Sequence, residues 1–124
     1  MAQGDRRLRM RGTRRERRRA SYISKARLAA MIEEATVDAY GQSEQVTGWF
    51  TMIHENLEVP FETMVLGIPV TVERVDLSRG EQIVAICRRG RERQALPILD
   101  LQLPMSPPEG AEWIEAYRRW LSKE

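Results

Sequence analysis

The chain has 124 residues, 42% of them hydrophobic and 31% charged, with a formal net charge of +2. That length suits one domain with a modest core. No apolar run approaches the roughly 18 residues that a membrane span requires, and the N-terminus lacks the apolar core and cleavage site of a secretory signal. The net charge conceals an asymmetry. Residues 1–20 carry nine arginines against Asp5 and Glu16, a balance of +7, whereas the remainder holds eleven basic and sixteen acidic side chains, a balance of −5.

Residues 1–22 therefore read as a disordered arginine-rich arm, because a block of like charge repels itself and buries little. Arg14, Arg15, Arg17, Arg18 and Arg19 form its densest run. Such an arm offers contacts to nucleic-acid phosphates or to an anionic lipid surface. It also suits folding back on the acidic body, or a leader with no dedicated role. Met1–Ala20 contains no aromatic residue for base stacking. Residues 23–124 read as a single α+β domain.

Ser24 is placed to cap a first helix from Lys25 to about Tyr40, with Leu28, Met31, Ile32, Ala35 and Ala39 on one face. Gly41 is the expected left-handed stop. Ser43 is the expected cap of a second helix, Glu44 to about Leu57, striped by Val46, Trp49, Phe50, Ile53 and Leu57. Two amphipathic helices joined by so short a turn predict an antiparallel helical hairpin, ended by Pro60.

The pattern then changes to short β-branched runs: 61–66, 68–77, 82–88 and 93–99. Gly80 and Gly90 are expected to supply positive φ for tight hairpins. The apolar alternation in 68–77 slips near Glu73 and Arg74, which predicts a bulge there. Pro97 argues for an edge position. These strands predict a small antiparallel SH3-like β-barrel or sheet. A final helix, 109–121, carries Trp113, Ile114, Tyr117, Trp120 and Leu121 on one side and covers the sheet or the hairpin.

From Leu28 to Glu73 the chain runs 46 residues without lysine or arginine but with eight acids. Glu34 and Asp38 lie one turn apart and could meet Glu44 at the start of the second helix, where carbonyls freed at the end of the first also point. Glu55 and Glu58 form a second cluster at the other end of the hairpin. Oxygen-rich, irregular sites suit calcium better than magnesium. An ion is not demanded, since exposed like-charge pairs on a helix cost only a few tenths of a kcal/mol. A solvated acidic face, or a face for a basic partner, accounts for the same residues.

Nucleophile–base pairs, Walker A, HExxH, CxxC and EF-hand patterns are absent, so no enzymatic role is expected. The lone His54 reads as a surface or half-buried side chain. Cys87, within an apolar run, reads as a buried, reduced cysteine of a cytoplasmic protein.

Three stretches, Ile32–Tyr40, Glu44–Phe50 and Glu58–Phe61, resemble the cyanobacterial, CcbP-type family of non-EF-hand calcium-binding proteins. The likeness continues through Val70–Asp76, Cys87–Arg91, Pro97–Leu101 and Trp113–Trp120. Its most specific piece is V-D-A-Y-x3-E-Q-x2-G-W at 37–49. The resemblance implies a small calcium buffer or sensor, with Asp38 and Glu44 at the family's acidic hairpin positions. His54 stands in the second cluster where an acid is expected, and the arginine arm is a further departure. The alternative from another class is a nucleic-acid or protein interaction module built on the arm and the barrel.

Overall fold

The computed structural model describes residues 23–122. The arm lies outside them.

Helix α1 spans Lys25–Thr36, and the Ser24 side chain accepts from the Arg27 N–H at 3.1 Å, as its capping position predicts. The helix ends a turn earlier than expected. Thr36 and Val37 are β-branched, and Asp38 takes the left-handed conformation at φ 60°. The Ala39 N–H then closes the turn on the Thr36 carbonyl at 3.0 Å. Gly41 is not the left-handed stop; it is the extended N-cap of α2, at φ −124°. Helix α2 spans Gln42–Asn56. Ser43 is inside its first turn and caps nothing. Its hydroxyl donates instead to the Glu81 carboxylate at 2.7 Å.

Strands β1 (Phe61–Val65), β2 (Ile68–Leu77), β3 (Ile83–Arg89) and β4 (Glu92–Pro97) follow. They pair antiparallel in chain order, which leaves β1 and β4 as the edges of an open sheet. The register shifts between Val72 and Arg74, at the slip in the apolar alternation. Pro97 ends the edge strand β4, opposite Val84 of β3, in the edge position that its missing N–H favours. The β2–β3 turn differs from expectation. It is Glu81, at φ 62°, that turns left-handed there, and Gly80 is not among the positive-φ residues. The Ser78 N–H donates to the Gln82 carbonyl and the Glu81 N–H to the Ser78 carbonyl, both at 2.9 Å, so the turn closes one residue later.

A 3-10 turn (Ile98–Asp100) leads to a strap that the Thr63 hydroxyl holds by donating to the Gln102 carbonyl. Helix α3 spans Glu112–Ser122, with Glu112 and Glu115 in its first turn and Arg119 in its last, the polarity that suits the helix dipole. Among the described residues the architecture is α+β: three α-helices and a four-stranded antiparallel sheet.

The core lies between the helices and one face of the sheet. Val72 and Cys87, Val75 and Ala85, and Leu77 and Ile83 are cross-strand partners turned toward it. From the other side come Met31, Trp49 and Ile53, all fully buried. Trp49 is the hub. It meets Trp113 edge-on at 6.2 Å and lies 5.7 Å from both Tyr117 and Trp120. One residue earlier, Gly48 lies so close to α1 that an added Cβ would sit 2.0 Å from the Ala35 carbonyl oxygen.

Two variants test this packing by urea unfolding. Gly48→Ala gains up to about 1 kcal/mol of helix propensity, yet the clash with backbone should leave it destabilised by about 2 kcal/mol. Trp49→Ala should cost about 3–5 kcal/mol, the range for truncating a buried aromatic.

Candidate functional site

The turn between α1 and α2 is five residues of backbone, Val37 to Gly41, flanked by carboxylates. Asp38 sits in the turn itself, exposed and left-handed. Glu34 is exposed one helical turn upstream. Glu44 lies in the first turn of α2, and its Oε1 accepts from the Tyr40 N–H at 2.8 Å. That bond folds the Glu44 side chain back over the turn and holds it against the positive end of α2. The exposed Tyr40 ring, at 87% accessibility, leaves the turn open to solvent.

Folding also brings an acid that the sequence reading did not include. Glu81, from the β2–β3 turn, accepts the Ser43 hydroxyl and so stands against the residue next to Glu44. Thirty-eight positions separate the pair, so no local pattern announces it.

The second group is more dispersed. Glu55 is exposed in the last turn of α2, and Glu58 follows the helix. The Glu58 N–H donates to the Glu109 carbonyl at 2.8 Å, which fixes this end of α2 to the segment before α3. Gly110 permits the approach. Its φ is 88°, and a Cβ there would lie 2.0 Å from the Asn56 carbonyl oxygen. His54 is exposed and packs on Phe50 at 5.3 Å.

Among the described residues, no group of three or more His, Cys, Asp or Glu converges tightly enough to hold a metal ion. Glu34, Asp38 and Glu44 thus flank one turn without forming a closed carboxylate cage. The donors are nonetheless of the right kind for calcium: carboxylates and backbone carbonyls, without sulfur or imidazole.

The acids divide sharply by partner. Glu34, Asp38, Glu44, Glu55 and Glu58 have no ion-pair partner among the described residues. Glu73 is the opposite case. Arg88 Nε lies 2.6 Å and Arg93 Nε 2.8 Å from its two carboxylate oxygens. Hydrogen bonds from Arg93 and then Arg88 hold its carboxyl below the usual range. It is a neutralised strand residue, not a free ligand. Cys87 is buried as expected, and burial pushes its thiol up, away from the reactive thiolate.

An open-sheet α+β domain with carboxylates free of ion pairs at the ends of a helix is the class of protein these observations define. The particular family follows from comparison: the model of the CcbP family, described as "Calcium binding", matches residues 29–121. The chain belongs to this calcium-binding family, and its implied ion is Ca2+. No match was found among curated proteins or among solved structures.

The Glu73 ion pairs set a pH dependence. A depressed carboxyl stabilises the fold above the unfolded-state pKa of about 4.3 and loses that contribution as pH falls through the folded-state value. Glu73→Gln should therefore flatten the decline of the urea midpoint between about pH 5 and pH 3 relative to wild type.

Proposed function

We propose that the protein is a calcium buffer or sensor that takes Ca2+ at the α1–α2 turn, with Asp38 and Glu44 as the principal carboxylates and Glu34 beside them. The observation that carries this reading is that these acids have no ion-pair partner among the described residues, whereas Glu73, Glu112 and Glu115 are each bonded to arginine. Calcium accepts six to eight oxygens in irregular geometry, so two or three carboxylates can be completed by turn carbonyls and water. The Tyr40 N–H already orients Glu44. Glu55 and Glu58 form a secondary, weaker site.

Few carboxylates and wide solvent access imply weak binding, on the order of 10−4–10−3 M. Exposed charge also implies sensitivity to salt. No catalytic step is assigned to the protein. A cytoplasmic location accords with its single, buried thiol and with the finding that no helix among the described residues is long and apolar enough to cross a membrane. The competing reading, nucleic-acid contact through Arg14, Arg15, Arg17, Arg18 and Arg19, falls outside the described residues and has no structural observation in its favour.

Calorimetry with the full chain tests the proposal. Calcium should bind wild type with a dissociation constant on the order of 10−4–10−3 M, and Asp38→Asn should weaken it about fivefold without changing the circular dichroism. Glu55→Gln should have the smaller effect. Absence of heat at millimolar calcium, with the protein folded, rejects the site. Tryptophan fluorescence separates the two roles: an unchanged signal on binding marks a buffer, and a shift marks a sensor.

A further inference from the structure

The helices cover the part of the sheet around Val72, Ala85 and Cys87 and then stop. The same face continues beyond them. Val70 and Ile68 follow Val72 by alternation on β2, Val65 is the β1 partner of Ile68, and Leu96 is the β4 partner of Ala85. Together they floor a groove of about 680 Å³ between the β1–β2 and β3–β4 turns. Ile68 is 38% accessible.

At the lip stands Leu66, 95% accessible and at φ 51°. A bulky, γ-branched apolar residue is a poor choice for a left-handed turn position, where glycine or asparagine serves better. Fold stability gives no reason for leucine there. A partner that covers it does.

The opposite wall is basic. The segment Arg88-Arg89-Gly90-Arg91-Glu92-Arg93 spans the β3–β4 turn and the strand ends beside it. Glu73 occupies Arg88 and Arg93. Arg89 and Arg91 are exposed and have no carboxylate partner among the described residues. Arg89 lines the groove, and so does Glu92, its register partner, without an ion pair between them.

We infer that this groove docks an acidic peptide segment of a partner protein, with apolar side chains on the Val65–Ile68–Val70–Leu96 floor and carboxylates on Arg89 in the lining and Arg91 at the adjoining turn, outside the lining. Charge complementarity selects the occupant. The chain's own arm is arginine-rich and would be repelled. Nucleic acid would leave the apolar floor unused, and no aromatic lines the groove for stacking. A membrane surface favours a broad apolar face over a concave one. The inference does not rest on the calcium reading, since groove and α1–α2 turn share no residue.

The test uses the full chain and a fluorescein-labelled peptide in which leucine and phenylalanine alternate with aspartate and glutamate, followed by fluorescence anisotropy. Wild type should bind. Ile68→Glu and Arg89→Glu should each weaken binding about tenfold, the loss expected of a central contact. Glu92→Gln should tighten it, about twofold. Arg79→Glu, in the β2–β3 turn, should stay within about twofold of wild type as the control for general charge. Circular dichroism confirms that each variant is folded. Equal weakening by Arg79→Glu, or no effect of Ile68→Glu, would assign the binding to bulk charge or to the arm and overturn the proposal. So would failure of wild type to bind, or tighter, Arg89-dependent binding of a single-stranded oligonucleotide or of phosphatidylserine vesicles.

Discussion

The fold depends on one step in α2, from Gly48 to Trp49. At Gly48 the helix gives up its side chain, so that α1 can bring the Ala35 carbonyl against its backbone. At Trp49 it presents the largest of the fully buried side chains, set among Trp113, Tyr117 and Trp120 of α3. One helix is thereby held on two sides by contacts of opposite kind: backbone against backbone, and ring against ring. Such packing tolerates little change in volume in either direction. The sheet then needs only to offer a smooth apolar face, and Val72, Val75, Ala85 and Cys87 do so.

This arrangement also decides where charge goes. Helices α1 and α2 and the turn between them carry acids that no arginine answers among the described residues, and the far end of the sheet carries arginines of which two are answered by a single glutamate. The two regions are built from different elements, joined through the core and not through each other. A cation at the α1–α2 turn and an acidic segment at the β3–β4 turn would therefore not compete for the same side chains. Glu73 marks the boundary: it belongs to the lysine- and arginine-free stretch by sequence, but it sits at the register shift in β2, where its carboxylate accepts from Arg88 and Arg93.

Much of the architecture was legible in advance because it follows from local periodicity. The apolar stripes of both helices, the slip at Glu73 and Arg74, the burial of Cys87 and the aromatic side of α3 were all readable from spacing alone. Errors gathered at turns. Sequence alone puts the end of α1 at Tyr40, the left-handed residue at Gly41 and the cap at Ser43. The structure instead gives Thr36, Asp38 and Gly41 for these roles. Residue preferences at turns are weak, and a bond such as Glu44 to the Tyr40 N–H can shift the whole turn by several positions. The open edge of the sheet was likewise undetermined, since closure depends on accumulated twist and on what packs over the strands.

The acidic stretch from Leu28 to Glu73, the arginine arm and the family-specific V-D-A-Y-x3-E-Q-x2-G-W run belong to the sequence by itself, and with them the family and its ion. Charge count and motif spacing are one-dimensional properties that need no fold to be read. Tertiary structure alone decided which acids remain without a partner. It took Glu73 out of consideration by laying Arg88 and Arg93 beside it, and it brought Glu81 across 38 positions to the first turn of α2. Partnership between charges depends on distance in space. Only the sheet register and the seating of the helices set that distance.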